Sequence, residues 1–246
     1  MSITTPRTKP RVPGKPGDRD LAIPPLESGD RLTRDEFMRR YEAMPDLKKA
    51  ELIQGVVYVP SPVRYEYHGK QDHHLSTWLG VYEANTPGVA GSGNTTVLLD
   101  PDSAPQPDAL LFILPACGGR VQIDAEGYIH RAPDLVAEVT ASTASYDLHD
   151  KLETYRKSGV REYLICRVFD QQVDWFVLKE GRYEPITASP EGSLRSTIFP
   201  GLWLDPAALL RGDLPGVLDL LQRGLDSPEH REFADRLKRS RAEPTS

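Results

Sequence analysis

Two acidic residues and one lysine stand out because of the segments in which they lie. Asp108 is near the start of the apolar run Q-P-D-A-L-L-F-I-L, Glu138 is in the middle of the short apolar run P-D-L-V-A-E-V, and Lys151 follows in a segment with helical spacing. A buried charge is costly unless it is paired or bound to a metal, so these groups need partners. Two carboxylates from neighbouring strands can hold one or two divalent cations through oxygen. A lysine beside them can orient a water or neutralise charge on phosphate oxygens.

The same three residues also fit a purely structural role. A buried Asp–Lys or Glu–Lys pair would stabilise the contact between a sheet and a helix without any metal. Spacing alone leaves both interpretations open and gives the structural pair the greater weight.

The element that must position Glu138 is a strand. The run D-L-V-A-E-V at 134–139 alternates, which places Asp134 and Glu138 on one face and an apolar trio on the other. We interpret Asp134 as a cap at the entry of this strand rather than as part of a site.

The element that must position Lys151 is the helix that follows. Leu148, Leu152 and Tyr155 recur at i, i+4 and i+7 and predict its buried face, with Lys151 at the edge of that face. Asp147 lies one turn before Lys151. It either forms an ordinary i,i+4 pair with the lysine or holds its amine in place for a ligand.

The remaining pattern predicts alternating helices and strands. Thr33 begins a helix with a capping box, because Glu36 lies three residues later. Aspartate or serine before proline at 205–206 and 227–228 predicts two or three C-terminal helices. Further predictions are a strand or two short strands bent at Gly55 within 50–62, a helix at 68–82, strands at 91–100, 106–114 and 162–168, and a hairpin of 173–178 with 183–186.

Composition limits the setting in which the chain works. Two cysteines, Cys117 and Cys166, cannot form a disulfide framework, so we expect a reducing, cytoplasmic location and no disulfide-linked partner. No apolar run approaches the roughly 20 residues that a membrane helix needs, so we expect no membrane partner. Three histidines, His68, His73 and His74, lack the spacing of a metal site and are predicted to be solvated or capping residues.

Charge is unevenly distributed along the chain. The net charge of −6 does not indicate a nucleic-acid partner, yet basic residues outnumber acidic ones in 1–19 and from 231 onward. These ends are either phosphate-binding arms or ordinary solvated tails. Residues 1–30 are rich in proline, glycine and basic residues and have no periodicity, which predicts a disordered basic arm.

An ordered set of motifs resembles the Uma2 family, also called DUF820, within the PD-(D/E)xK nuclease superfamily. These motifs are E-L-I-Q-G-V-V-Y, P-D-A-L-L-F-I, P-D-L-V-A-E-V, K-L-E-T-Y, G-V-R-E-Y-L-I and L-R-S-T-I-F-P-G-L-W-L. The resemblance covers roughly residues 31–210 and implies an α/β, restriction-endonuclease-like core: a mixed central β-sheet flanked by helices. The domain expectations are a basic arm at 1–30, this nuclease-like domain at 31–210, and a helical C-terminal extension at 211–246.

The resemblance also implies roles for individual residues. Asp108 matches the family's metal-binding aspartate, Glu138 its strand acid, and Glu51 the glutamate of the early motif that is thought to complete the metal shell. Lys151 matches the family's lysine, which has moved from the strand to the next helix. The implied catalytic set is Asp108, Glu138 and Lys151, and the implied metal ligands are Glu51, Asp108 and Glu138, with Mg²⁺ as cofactor and Mn²⁺ as a substitute.

Two positions depart from the family pattern. The superfamily's usual lysine, two residues after the strand acid, is replaced by Thr140, so only Lys151 supports a catalytic interpretation. The family's common S-P-S-T turn appears as T-A-S-T at 140–143.

The leading functional prediction is a Mg²⁺-dependent DNA endonuclease that hydrolyses phosphodiester bonds. The alternative is a catalytically inactive binding or assembly module with a nuclease fold and a structural carboxylate–lysine cluster. DNA is the expected partner of the first, and the C-terminal helices at 205–225 suggest a homodimer as a hypothesis.

Overall fold

The fold follows from a computed structural model that describes residues 23–60, 64–140 and 145–242, without the side chains of 145–148 and 242. The helices are α1 Arg34–Glu42, α2 Lys70–Asn85, α3 Ser145–Ser158, α4 Pro206–Arg211, α5 Leu214–Leu225 and α6 Pro228–Ala242. The strands are β1 Glu51–Ile53, β2 Val56–Tyr58, β3 Val89–Ser92, β4 Val97–Leu98, β5 Ala109–Ile113, β6 Gln122–Ile123, β7 Ile129–His130, β8 Leu135–Thr140, β9 Glu162–Arg167, β10 Gln172–Lys179, β11 Arg182–Pro185, β12 Leu194–Arg195 and β13 Trp203–Leu204.

The apolar runs β5, β8 and β9 form the centre of a six-stranded mixed sheet in the order β11-β10-β9-β8-β5-β3. Only β8 and β9 are parallel within it, and α3 connects them. Every residue of β8 is buried, as expected for a strand covered on both faces. The predicted α/β class with a mixed central sheet flanked by helices is therefore confirmed.

The alternation of β8 directs its side chains into two different cores. Leu135, Ala137 and Val139 pack with α2 and the C-terminal helices on one face of the sheet. On the other face, Val136 packs with Tyr155 of α3. Glu138 belongs to the α3 face, because side chains of a strand alternate with a period of two residues.

The hairpin β1–β2 and helix α1 form a small third core beside the sheet. Thr33 caps α1 as predicted, since its Oγ1 accepts a hydrogen bond from the Glu36 N–H. Of the predicted arm at 1–30, residues 23–30 are described and contact this core: Leu26 is buried, and the Gly29 N–H donates to the Val57 carbonyl. Residues 23–30 are thus part of the folded domain, and 1–22 lie outside the described residues.

Three C-terminal helices, α4 to α6, continue the main core. Asp205 and Asp213 cap α4 and α5 by accepting hydrogen bonds from backbone N–H groups. The buried side chains of α5 and α6 share one apolar cluster with α2 and β8, so the helical extension packs directly on the sheet. The homodimer suggested through this region stays a prediction.

Two predicted elements differ from the structure. The predicted strand at 91–100 is divided into β3 and β4, which belong to different sheets, because the chain turns at Gly93 and at Asn94 with φ of 54°. The predicted helix at 68–82 is α2, and it is preceded by a π-helical turn at Tyr65–Gly69 that includes His68.

Both cysteines are buried free thiols. Within the described ranges, none of the helices has the length and apolar character needed to cross a membrane.

Candidate active site

A cavity of about 1140 Å³ opens beside the carboxyl end of β8. Glu51, Asp108, Glu138 and Lys151, all four of the predicted site residues, line this cavity. They come from β1, the residue before β5, β8 and α3. All four are at most 7 % exposed, so their charges face one another and the cavity rather than bulk water.

Lys151 joins two of the acids. Its Nζ lies 3.0 Å from Glu51 Oε2 and 3.0 Å from Glu138 Oε1. Tyr155, one turn later on α3, donates a hydrogen bond of 2.8 Å to the same Glu138 oxygen. The other oxygen of Glu51 accepts a hydrogen bond from the Gln106 N–H. The ammonium group therefore fixes β1 and β8 to α3.

The surroundings raise the pKa of both Glu138 and Lys151. Burial, together with the negative charges of Asp108 and Glu51, raises the pKa of Glu138 to about 7, although Lys151 opposes the shift. Burial disfavours the charged form of Lys151, but the three surrounding carboxylates outweigh it and hold the lysine pKa well above its usual range. Lys151 thus stays a cation and cannot accept a proton near neutral pH.

Asp108 has a different set of partners. Its Oδ2 accepts a hydrogen bond from the Val139 N–H and lies 3.2 Å from His68 Nε2, while its Oδ1 lies 3.0 Å from Lys49 Nζ. Burial opposes ionisation of Asp108, but His68 and Lys49 overcome it and lower the pKa below its usual range. Asp108 is therefore ionised at neutral pH.

A glycine allows the backbone to approach Asp108. A Cβ built on Gly93 would lie 2.9 Å from the Asp108 carbonyl oxygen, closer than real Cβ contacts. The next residue, Asn94, donates its N–H to the Pro107 carbonyl and accepts a hydrogen bond from Lys49 with its side chain. The turn between β3 and β4 thus holds both Asp108 and the lysine that binds it.

Lys151 lies on the buried side of α3. Among the α3 residues whose side chains the structure describes, 149–158, the buried ones are Lys151, Thr154 and Tyr155, while Leu152 is half-buried. Lys151 contacts Glu51 and Glu138, which supply compensating charge, and Leu152 packs against the cluster that contains Val136 of β8. The predicted place of Lys151 at the edge of the face stays a prediction, because the side chain of Leu148 lies outside the described residues.

His68, predicted to be solvated or capping, instead contacts Asp108. Burial disfavours its charged form, but the hydrogen bond to Asp108 overrides this and raises the pKa of His68. Asp72, one helical turn later, lines the same cavity, and burial followed by the charge of Asp108 raises the pKa of Asp72. The spacing of His68 and Asp72 at i, i+4 was a signal that both side chains lie on one side of this segment.

Sequence reasoning also missed Lys49 and the contact made by Tyr155. Lys49 lies two residues before Glu51, just outside the motif E-L-I-Q-G, and nothing local distinguishes it from the neighbouring Lys48. Tyr155 is spaced i+4 from Lys151, which places both on one side of α3. That spacing was the available signal for their shared contact with Glu138.

Asp134 lies outside the cavity, as its interpretation as a strand-entry cap predicts. Its Oδ2 accepts a hydrogen bond from the Ile113 N–H, and its Oδ1 pairs with Arg120 and Arg161. The side chain of Asp147 and the turn at 141–144 lie outside the described residues. Thr140, which replaces the superfamily's lysine, is buried and lines the cavity.

The donor set suits a hard divalent cation, because three buried carboxylates offer only oxygen ligands. Lysine ammonium groups lie against all three acids: Lys151 lies between Glu51 and Glu138, and Lys49 lies on Asp108. Consistent with these pairs, the described residues contain no group of three or more histidine, cysteine or acidic side chains placed to hold a metal ion. The three carboxylates fit Mg²⁺ by donor chemistry alone, and in this structure each of them is paired with a lysine.

Comparison with known proteins identifies similar sequences and folds. The model of the Uma2 family, described as "Putative restriction endonuclease", matches residues 34–207. The fold is similar to the crystal structure of "a putative nuclease belonging to DUF820" from Anabaena variabilis ATCC 29413, with a TM-score of 0.57 and 17 % identity. That match covers 74 % of this chain and 98 % of the other. No curated protein matches the chain.

Proposed function

The chain belongs to the Uma2 family, and from that premise we propose that it is a Mg²⁺-dependent DNA endonuclease that hydrolyses phosphodiester bonds in the cavity beside β8. The observation that supports the proposal most is the convergence of three buried carboxylates and a buried lysine, from four separate elements, on one cavity. Exposed Lys48 and Arg64 line the same cavity and favour an anionic substrate such as DNA.

Glu51, Asp108 and Glu138 are the proposed metal ligands. Mg²⁺ prefers carboxylate oxygen and retained water, and Mn²⁺ accepts the same ligands. When bound, such an ion polarises a phosphodiester and lowers the pKa of a coordinated water. Near neutral pH, Asp108 is the ligand most ready to bind, because it is already ionised, whereas Glu138, whose pKa is raised to about 7, is only partly ionised.

Lys49 is the group that must move to free Asp108. Its side chain is 25 % exposed, in contrast to 6 % for that of Lys151, so it can turn toward solvent without a buried charge being created. From the cavity wall, the released ammonium is placed to contact a phosphate oxygen of the substrate.

Lys151 acts as a fixed cation in this proposal. It remains protonated, so its role is to orient Glu51 and Glu138 and to neutralise charge that develops on phosphate oxygens. It does not serve as a general base. Tyr155, whose pKa burial and the charge of Glu138 raise well above its usual range, stays a neutral donor that orients Glu138.

A second candidate function rests on the same ion pairs. Each of the three acids is within 3.0 Å of a lysine ammonium, which a purely structural cluster would also show. In that case the chain is a binding or assembly module with a nuclease fold. The two functions differ in whether the acids bind a metal.

Calorimetric titration with Mg²⁺ and Mn²⁺, followed by nicking of supercoiled plasmid, tests the proposal. The variants are Asp108→Asn and Glu138→Gln, which keep side-chain volume and remove charge. We expect each to lose metal binding and to nick at least about a hundredfold more slowly than the wild type, because the reaction depends on metal-bound water.

Asp134→Asn is the matched control, since Asp134 is an equally buried acid at the start of the same strand but lies outside the cavity. It should retain metal binding and nicking per folded molecule. Wild-type protein that binds no metal and nicks no plasmid, together with loss of stability in the Asp108 and Glu138 variants, would instead support the structural module.

A further inference from the structure

Two exposed aromatic rings lie in contact at the mouth of the cavity. Tyr67 and Phe169 have ring centroids 5.2 Å apart at an interplanar angle of 46°, and both line the cavity. Tyr67 is 43 % exposed and Phe169 is 58 % exposed. They belong to separate segments, the π-helical turn before α2 and the turn after β9.

Single exposed apolar residues are common on protein surfaces and need no explanation. This pair differs because two rings from distant parts of the chain meet at the opening of a charged cavity. Tyr65, in the same π-helical turn, is 67 % exposed but does not line the cavity. Exposure in this turn is therefore not enough to bring an aromatic ring to the site.

The backbone connects both rings to the site. Tyr67 directly precedes His68, whose ring contacts Asp108. Phe169 directly follows Val168, whose N–H donates a hydrogen bond to the carbonyl of Thr140 at the end of β8. A ligand group held by the rings thus lies in the cavity that the carboxylates also line.

Charge varies from the inside of the cavity to its mouth. Buried acids lie at the inner end, whereas exposed Lys48 and Arg64 line the outer part with the two rings. Positive side chains next to aromatic faces are the combination that proteins use to bind single-stranded nucleic acid, because the cations follow the phosphates and the rings stack on bases.

We propose that Tyr67 and Phe169 form a stacking platform for an unpaired nucleobase adjacent to the phosphate at Asp108 and Glu138. The inference deepens the proposed function, on which it rests for the choice of DNA, by assigning the substrate class: DNA with at least one unpaired nucleotide beside the bond to be cut. In an intact duplex both faces of a base are covered by its neighbours, so only an unstacked base can lie on these rings.

The test compares binding affinities in the absence of divalent metal, so that cleavage of the DNA cannot interfere. A single-stranded oligonucleotide of about 12 nucleotides, within the range that such grooves hold, is compared by fluorescence anisotropy with a strand of equal length made of abasic sites. The wild type should bind the intact strand roughly tenfold more tightly than the abasic one, as expected for one or two stacked bases.

The variant Tyr67→Leu with Phe169→Leu keeps apolar side chains and removes the rings. It should lose the preference for the intact strand and bind the abasic strand as the wild type does. Tyr65→Leu is the matched control and should retain the full preference. Both ring substitutions are at exposed positions. If the double variant does not fold, the two single variants provide the test, and each should lose part of the preference for the intact strand.

An unchanged preference in the double variant overturns the stacking proposal, as does wild-type binding to the duplex of the same sequence as tight as to the single strand. Plasmid nicking separates this result from the proposed function. Loss of the base preference in the double variant, without nicking by any protein, supports the platform and rejects the nuclease. Nicking with an unchanged base preference supports the nuclease and rejects the platform.

Discussion

Two buried glutamates on neighbouring parallel strands have opposite surroundings. Glu138 of β8 and Glu162 of β9 are 6 % and 0 % exposed, and burial is the main cause that raises the pKa of each. In the register of the two strands, Glu138 pairs with Ile165 and Glu162 pairs with Leu135. The two glutamates are thus offset by three positions in the strand register, and their side chains point to opposite faces of the sheet.

Their hydrogen-bond partners differ in kind. Among the described residues, Glu162 accepts hydrogen bonds from neutral groups of one short segment: the Ser196 and Thr197 hydroxyls and the N–H groups of Thr197 and Ile198. These donors surround the carboxylate and fix the loop before β13. Two family-like motifs, G-V-R-E-Y-L-I and R-S-T-I-F-P-G, thus meet at this one contact.

Glu138 instead has a cation and a phenol as partners, and it faces a cavity. Burial of a carboxylate is therefore a poor indicator of a site by itself. What distinguishes Glu138 from Glu162 is a charged partner, Lys151, and open volume next to the carboxylate.

The largest effect should follow from removing the cation between the acids. Lys151→Met leaves Glu51 and Glu138 buried without an ammonium group, which should lower the free energy of unfolding by about 3–5 kcal/mol at pH 8. Without the lysine, the pKa of Glu138 rises further, so the folded state takes up a proton. The loss should be smaller at pH 5 and grow as pH increases through this raised pKa.

Urea unfolding of metal-free protein at the two pH values measures this effect. Lys157→Met is the control on the same helix, because Lys157 is 60 % exposed in its pair with Glu153 and should leave the midpoint unchanged. A pH-independent loss would contradict the assignment of the effect to the buried acids.

An intermediate effect should distinguish the two glutamates. Glu162→Gln replaces an oxygen that accepts hydrogen bonds with an amide group that only donates, so at least one buried donor loses its partner. We expect a loss of about 2 kcal/mol in unfolding free energy, measured in urea, with plasmid nicking per folded molecule unchanged. Glu138→Gln should instead lose plasmid nicking and keep its unfolding free energy. Loss of nicking in both variants would remove the distinction between the two glutamates.

The smallest effect should come from two tyrosines that each make one hydrogen bond. Tyr155 donates to Glu138, and Tyr183 donates to the Val160 carbonyl. Tyr155→Phe and Tyr183→Phe should each cost about 1 kcal/mol in thermal unfolding. Only Tyr155→Phe should also raise the pKa of Glu138, because the hydrogen bond favours the ionised carboxylate.

Carboxyl ¹³C NMR titration of metal-free protein detects that shift. Equal titration curves for Glu138 in the two variants would show that the Tyr155 hydroxyl does not orient the carboxylate.

Much of the fold could be predicted because its signals are local. The alternation of 134–139 correctly separated Glu138 from the apolar trio, and the caps at Thr33 and Asp205 correctly marked helix starts. The strand at 91–100 was predicted wrongly because the turn residues Gly93 and Asn94 lie inside it, and its apolar residues at 97–99 all follow that turn. Only pairing with other strands shows that β3 and β4 belong to different sheets.

By itself, the sequence determined most of the strands and helices, and which acids and lysine were candidates for chemistry, because periodicity, capping and motifs are properties of short segments. The tertiary structure alone decided which charges meet. Lys49 and Asp108 are 59 residues apart in the chain, and their contact depends on how the β1–β2 hairpin packs beside the sheet. The burial of Lys151 was decided in the same way, since a buried lysine is stable only when carboxylates from other elements surround it.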